Sequence, residues 1–164
     1  MNDSTPSIDW TAFSRTCVRV DTEVEIARGA SAVFDYVTTA ALWHTWHPAT
    51  AQVRDAPPRP LIEGETMLEV IAMLGQRELA LWRVLVCEPG QRWEIATVSA
   101  RGAAHISYRL TPTARGCRFQ RTLEFRSRAW PWRWLDNSLL RALLARQSAR
   151  ALRNLADLLQ GAPR

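Results

Sequence analysis

The last quarter of the chain constrains the fold most. Residues 135–160 place Leu140, Leu143, Leu144, Gln147, Ala151, Leu155 and Leu158 at a 3/4 spacing, with Arg141, Arg146, Arg150, Arg153 and Asp157 largely off that stripe. The spacing predicts one long helix, stopped by Gly161 and Pro163. At ~1.5 Å per residue such a helix is about 40 Å long, enough to cross a seven-stranded sheet.

The preceding residues supply the sheet. In residues 17–27, Val18, Val20, Thr22, Val24 and Ile26 alternate with Arg19, Asp21, Glu23 and Glu25, the period of a half-buried strand. Gly29 breaks it. Ser31 is then placed to cap a short helix carrying Val33, Phe34 and Val37, and residues 40–46 read as a second helical turn ended by Pro48. Six further strands are expected at 52–56, 66–74, 77–88, 92–100, 104–111 and 117–126, separated by short Gly- and Pro-containing turns that favour antiparallel hairpins. Trp93, Ile95, Ile106, Tyr108, Leu110, Phe119, Leu123 and Phe125 fall on one face. Arg92, Glu94, His105, Arg109, Arg118, Gln120 and Glu124 fall on the other.

Length and composition fit one folded unit. The 164 residues, 47% of them apolar, are enough for a substantial core without a staple, with 1–14 expected as a flexible segment and 15–161 as the domain. Cys17, Cys87 and Cys117 are odd in number and far apart, which suits neither a disulfide framework nor a zinc motif. Residues 1–14 do not read as a secretory signal and no apolar run is long enough for a membrane span, so a cytoplasmic protein is expected. All 21 basic residues are arginine, giving a net charge of +5, but they are dispersed and accompany no nucleic-acid motif; nucleic acid is not expected as a partner. No phosphate loop, dinucleotide fingerprint or glycine-elbow serine is present.

The element order, with Val24-Glu25-Ile26, the segment from Ala30 to Val37, then Trp43 and Trp46-His47-Pro48, resembles the SRPBCC superfamily over about 18–160. That superfamily includes START-related lipid carriers, pollen-allergen-like proteins and polyketide cyclase/dehydrase-like proteins. The resemblance implies an α+β helix-grip fold: a curved seven-stranded antiparallel sheet around the C-terminal helix, with a cavity between them. The metal-binding module of Rieske oxygenases is excluded, because no matching Cys/His cluster is present. No cofactor or metal is expected.

Within that frame, the candidate ligand-binding residues are Trp43, His44 and His47 near the cavity mouth, Trp82, Trp93 and Tyr108 in the sheet, Arg121 by its parity with Phe119 and Leu123, and Gln147 in the helix stripe. Each has a plainer role open to it. His44 and His47 suit a surface or capping position or a general acid/base role, and as a metal pair they lack a third ligand. Arg121 is either a solvent-reaching or salt-bridged arginine or an anchor for a ligand carboxylate or carbonyl. Tyr108 is either core or site, and Gln147 in a dry core would be costly. Trp130, Trp132 and Trp134, flanked by arginine, read as helix packing, a lid or a peripheral membrane contact.

The leading functional expectation is binding or transport of a small hydrophobic molecule, lipid-like or aromatic and polyketide-like. Alternatives are a polyketide cyclase/dehydratase-type enzyme using His44, Tyr108 or Arg121, and a basic protein- or RNA-interaction module.

Overall fold

Strand β1 (Val18–Ile26) follows its sequence alternation: Val18, Val20 and Ile26 are buried while Arg19, Asp21, Glu23 and Glu25 face water. The computed structural model describes residues 18–73, 75–99, 102–127 and 137–161. Helix α1 (Ala30–Thr38) follows, burying Val33, Phe34 and Val37. Its first turn closes through Val33 N–H to Gly29 O, so Gly29 stands at the N-cap and Ser31 lies inside the helix; no side chain caps it, contrary to the expectation for Ser31. The second short element, Ala40–Thr45, is a 3-10 turn rather than an α-helical one. The Trp43 indole donates back to Val37 O at 2.8 Å, anchoring the turn to the end of α1.

Six strands complete the sheet: β2 (Thr50–Arg54), β3 (Thr66–Met73), β4 (Gln76–Glu88), β5 (Arg92–Ser99), β6 (Gly102–Thr113) and β7 (Gly116–Ser127). All neighbours are antiparallel, in the order β1-β7-β6-β5-β4-β3-β2, so β1 and β2 form the two edges. The hairpins follow from local chemistry. At β4–β5, Gln91 N–H bonds Glu88 O across Pro89-Gly90, and Gly90 has φ +74°, which the turn demands and a side chain resists. At the start of β7, Gly116 has φ +153°, and an added Cβ would lie 2.1 Å from Ile26 O; only glycine lets β7 enter beside the end of β1.

Helix α2 (Asn137–Gly161) packs along β1 and closes the concave face. It buries Leu140, Leu144, Ser148, Ala151, Leu152 and Leu155, whereas Leu143 and Gln147 are half-buried and Leu158 is exposed. The buried stripe is therefore rotated relative to the one read from leucine spacing, because Ser148 occupies an inward position. Gly161 ends the helix from within it rather than beyond it.

The core between sheet and helices is built on an aromatic chain. Trp43 meets Trp93 edge-on at 6.1 Å, Trp93 stacks on Tyr108 at 5.4 Å, and Tyr108 meets Phe119 edge-on at 5.1 Å. The outer face carries polar networks, including His105 between Glu94 and Glu124 at 3.2 Å each.

Two irregularities shape the interior. A bulge in the β2–β3 ladder between Thr50 and Gln52 leaves Thr50 buried opposite Ile71. The β4–β5 ladder carries a second bulge between Val84 and Val86 and ends at Arg83–Ala96. Beyond that point β4 is paired only with β3, and β5 only with β6. The outer face beside this gap is apolar, with Leu79, Leu81 and Val98 exposed by 58%, 57% and 51%.

Candidate functional site

Between the sheet and α2 lies a cavity of about 130 Å³. At ~10–15 Å³ per water on this scale it admits roughly ten waters, or a molecule of about 300 Å³, the small end of ligand sites. Ile71, Ala80, Trp82, Ala104, Ile106, Leu123 and Phe125 from the sheet, Leu144 from α2, and Trp43 form its apolar walls. It reaches the β4–β5 gap, where Glu78 and Ala80 line one side and Thr97, Gly102 and Ala103 the other.

Of the polar residues that line it, Arg121, Ser148, His47, Glu69 and Trp82 lie within one network. Arg121, 3% exposed, points inward from β7; its Nη1 donates to Ser148 Oγ on α2 at 2.7 Å, and its Nη2 faces His47 Nε2 at 3.5 Å. His47 Nδ1 lies 3.2 Å from Thr50 Oγ1, and that hydroxyl donates to Glu69 Oε1. The Trp82 indole donates to Glu69 Oε2 at 2.8 Å. With Nε2 accepting from the guanidinium, the tautomer consistent with this geometry carries its proton on Nδ1, and every bond in the chain from Arg121 to Glu69 then points the same way.

Electrostatics follow from burial. Burial, aided by the Arg121 charge, pushes the His47 imidazole down to about 3, so it is neutral at pH 7. Burial raises the Glu69 carboxyl, with the bonds from Thr50 and Trp82 and the Arg121 charge working the other way. Burial pushes the Tyr108 phenol up to about 12 against the opposing influence of Arg121, which is its direct cross-strand neighbour. Arg121 Nε is buried with no hydrogen-bond partner, as is Thr97 Oγ1 at the gap.

Six of the eight residues singled out from sequence, Trp43, His47, Trp82, Tyr108, Arg121 and Gln147, line this cavity. His44 is exposed on the 3-10 turn, away from the lining. Trp93 is fully buried behind the wall, its indole donating to Leu61 O at 3.0 Å. Glu69, Thr50, Thr97 and Ser148 were not singled out. In β3, Met67, Glu69 and Ile71 alternate with Leu68, Val70 and Ala72, so both rows are apolar and parity alone does not point the acid inward. A lone acid inside such a run was the available signal. Trp130, Trp132 and Trp134 lie outside the described residues.

The remaining reactive side chains offer little. Burial raises the thiols of Cys87 and Cys117, which leaves no activated thiolate among the described residues. Among the described residues no group of three His, Cys, Asp or Glu is placed to hold a metal ion, and no helix is long and apolar enough to cross a membrane.

Comparison with known proteins agrees with this architecture. The Zhui aromatase/cyclase from Streptomyces sp. R1128 superimposes with a TM-score of 0.70 at 16% identity, covering 88% of this chain and 94% of that one. A START superfamily protein from Mycobacterium smegmatis gives 0.64 at 14% identity, covering 87% and 94%. A protein from Thermus thermophilus gives 0.73 at 13% identity, covering 89% and 99%. At these identities the likeness is one of fold. No curated protein matches the chain significantly. The model of the family described as polyketide cyclase / dehydrase and lipid transport matches residues 18–160, essentially the whole described fold. With its helix-grip architecture, the chain therefore belongs to the polyketide cyclase / dehydrase and lipid transport family, within the SRPBCC superfamily.

Proposed function

We propose that this protein binds, and carries, a small hydrophobic molecule held between the sheet and α2. The observation that supports this most directly is the cavity itself: walls of aliphatic and aromatic side chains with a handful of convergent polar atoms, the usual makeup of a ligand site. Transfer of an apolar ligand from water to such walls is favourable by ~25 cal/mol per Å² buried, and the polar atoms fix its orientation. The test is binding of 1-anilinonaphthalene-8-sulfonate together with native mass spectrometry of protein taken from its host. Binding is expected to fall at least tenfold in Ala104→Phe, which fills the cavity from β6. It is expected to be unchanged in Gln120→Ala on the outer face. Equal binding by Ala104→Phe and the parent would overturn the reading.

A second reading, proton transfer on a bound carbonyl compound, draws on Glu69. A buried carboxyl with a raised pKa, linked through the Thr50 hydroxyl to a neutral histidine, is suited to hold and deliver a proton. Turnover of a candidate polyketide-like substrate, lost in Glu69→Gln with ligand affinity retained, would favour it. For a carrier, Trp130, Trp132 and Trp134 also suit contact with a membrane interface; loss of vesicle co-sedimentation on replacing all three with alanine tests that.

A further inference from the structure

We infer that the ligand is a hydrophobic acid: a compact apolar molecule whose carboxylate, or an equivalent anionic oxygen pair, seats on the guanidinium of Arg121. The inference rests on the cavity-binding reading and adds the ligand's charge to it.

Arg121 differs from the ion-paired arginines of the surface. Arg19, Arg59 and Arg92 each meet a carboxylate within about 3 Å: Asp21 at 3.0 Å, Glu65 at 2.7 Å and Glu94 at 2.7 Å. Arg121 is buried and its partners are neutral groups: the Ser148 hydroxyl, the His47 ring and the neighbouring Tyr108 phenol. The guanidinium cannot shed its proton, so a full positive charge sits in a low-dielectric wall with no ion-paired counter-charge. An uncompensated buried charge is costly. Glu69, the acid in the same cavity, acts on it only through space: its two oxygens are committed to Thr50 and Trp82, and it forms no ion pair with Arg121.

The geometry of the open donors adds direction. Ser148 takes Nη1, on one side of the fork. Nε has no hydrogen-bond partner, and Nη2 makes a long 3.5 Å approach to His47. Nε and Nη2 form the edge of a guanidinium that accepts a carboxylate with two parallel bonds. Tyr108, opposite Arg121 across the β6–β7 ladder, places its phenol on the same wall. The rest of the lining is apolar and matches the body of such an acid.

The experiment compares 2-naphthoic acid with its neutral isostere 2-naphthamide by calorimetric titration at pH 7. The parent protein is expected to bind the acid at least tenfold more tightly than the amide, about 1.4 kcal/mol. In Arg121→Met the ratio of the two affinities is expected to fall to about one, and measurable binding of the amide reports that the cavity persists. Amide binding without an acid preference in the parent, or an acid preference that survives in Arg121→Met, overturns the inference and leaves the cavity reading standing. Failure of the parent to bind either compound sinks both. If Arg121→Met does not fold, Arg121→Gln replaces it, and the parent ratio still decides.

Discussion

Arg121 on β7 donates to Ser148 on α2 at 2.7 Å, and this single bond joins the sheet to the closing helix inside the cavity wall. It explains why a serine occupies an inward position of α2 between Leu144 and Leu152. A hydrogen bond to a charged group contributes ~1.5–3 kcal/mol, and removing one partner also leaves a buried donor unmet. Ser148→Ala is therefore expected to lower unfolding stability by about 2 kcal/mol, read from the urea midpoint at constant slope. A change under about 0.5 kcal/mol would mean that the bond is not made in solution.

Acid sensitivity should report on His47. Its folded value of about 3 lies below the unfolded 6.5, so between those limits the unfolded chain binds more protons and stability falls as pH drops. Asp21, Glu65 and Glu94, whose carboxyls are held low in the fold, add to the acid loss. The comparison must therefore be made against a variant. The loss of stability from pH 7 to pH 4 is expected to be smaller in His47→Gln than in the parent. Parallel curves would show that His47 is not shielded.

Glu69 titrates with the opposite sign. Its raised folded value means that, from 4.5 upward to that value, the folded state holds the extra proton and stability declines as pH rises. Glu69→Gln removes the charge and keeps an acceptor oxygen for one of the two donors, Thr50 and Trp82. The stability of this variant relative to the parent is expected to increase from pH 5 to pH 8 in paired denaturation curves. A constant difference would count against a raised carboxyl.

Gly116 offers a backbone test. An added methyl would meet Ile26 O at 2.1 Å and Arg28 N at 2.7 Å, both main-chain atoms that cannot swing aside. Gly116→Ala is expected to cost at least ~2 kcal/mol, since strain at a disfavoured φ and a backbone displacement add. Gly29→Ala, where nothing lies within 4 Å of the added methyl, serves as the comparison. Equal midpoints for the two variants would contradict the close approach of β7 to β1.

The primary structure by itself determined the element order and the faces. Period-two alternation in β1, β6 and β7, where one row is apolar and the other charged, leaves one choice of inward side, and Arg121 follows from its parity with Phe119 and Leu123. Tertiary structure decided the rest. In β3 both rows are apolar, so only pairing with Ala80 turned Glu69 inward. Thr50 needed the bulge in the β2–β3 ladder, a register event no alternation encodes. Ser148 needed the phase of α2, which leucine spacing fixes only to within a residue and which docking on β1 and the bond from Arg121 settle. Local periodicity records which residues share a face. Which polar atoms then meet depends on packing contacts between segments far apart in the chain.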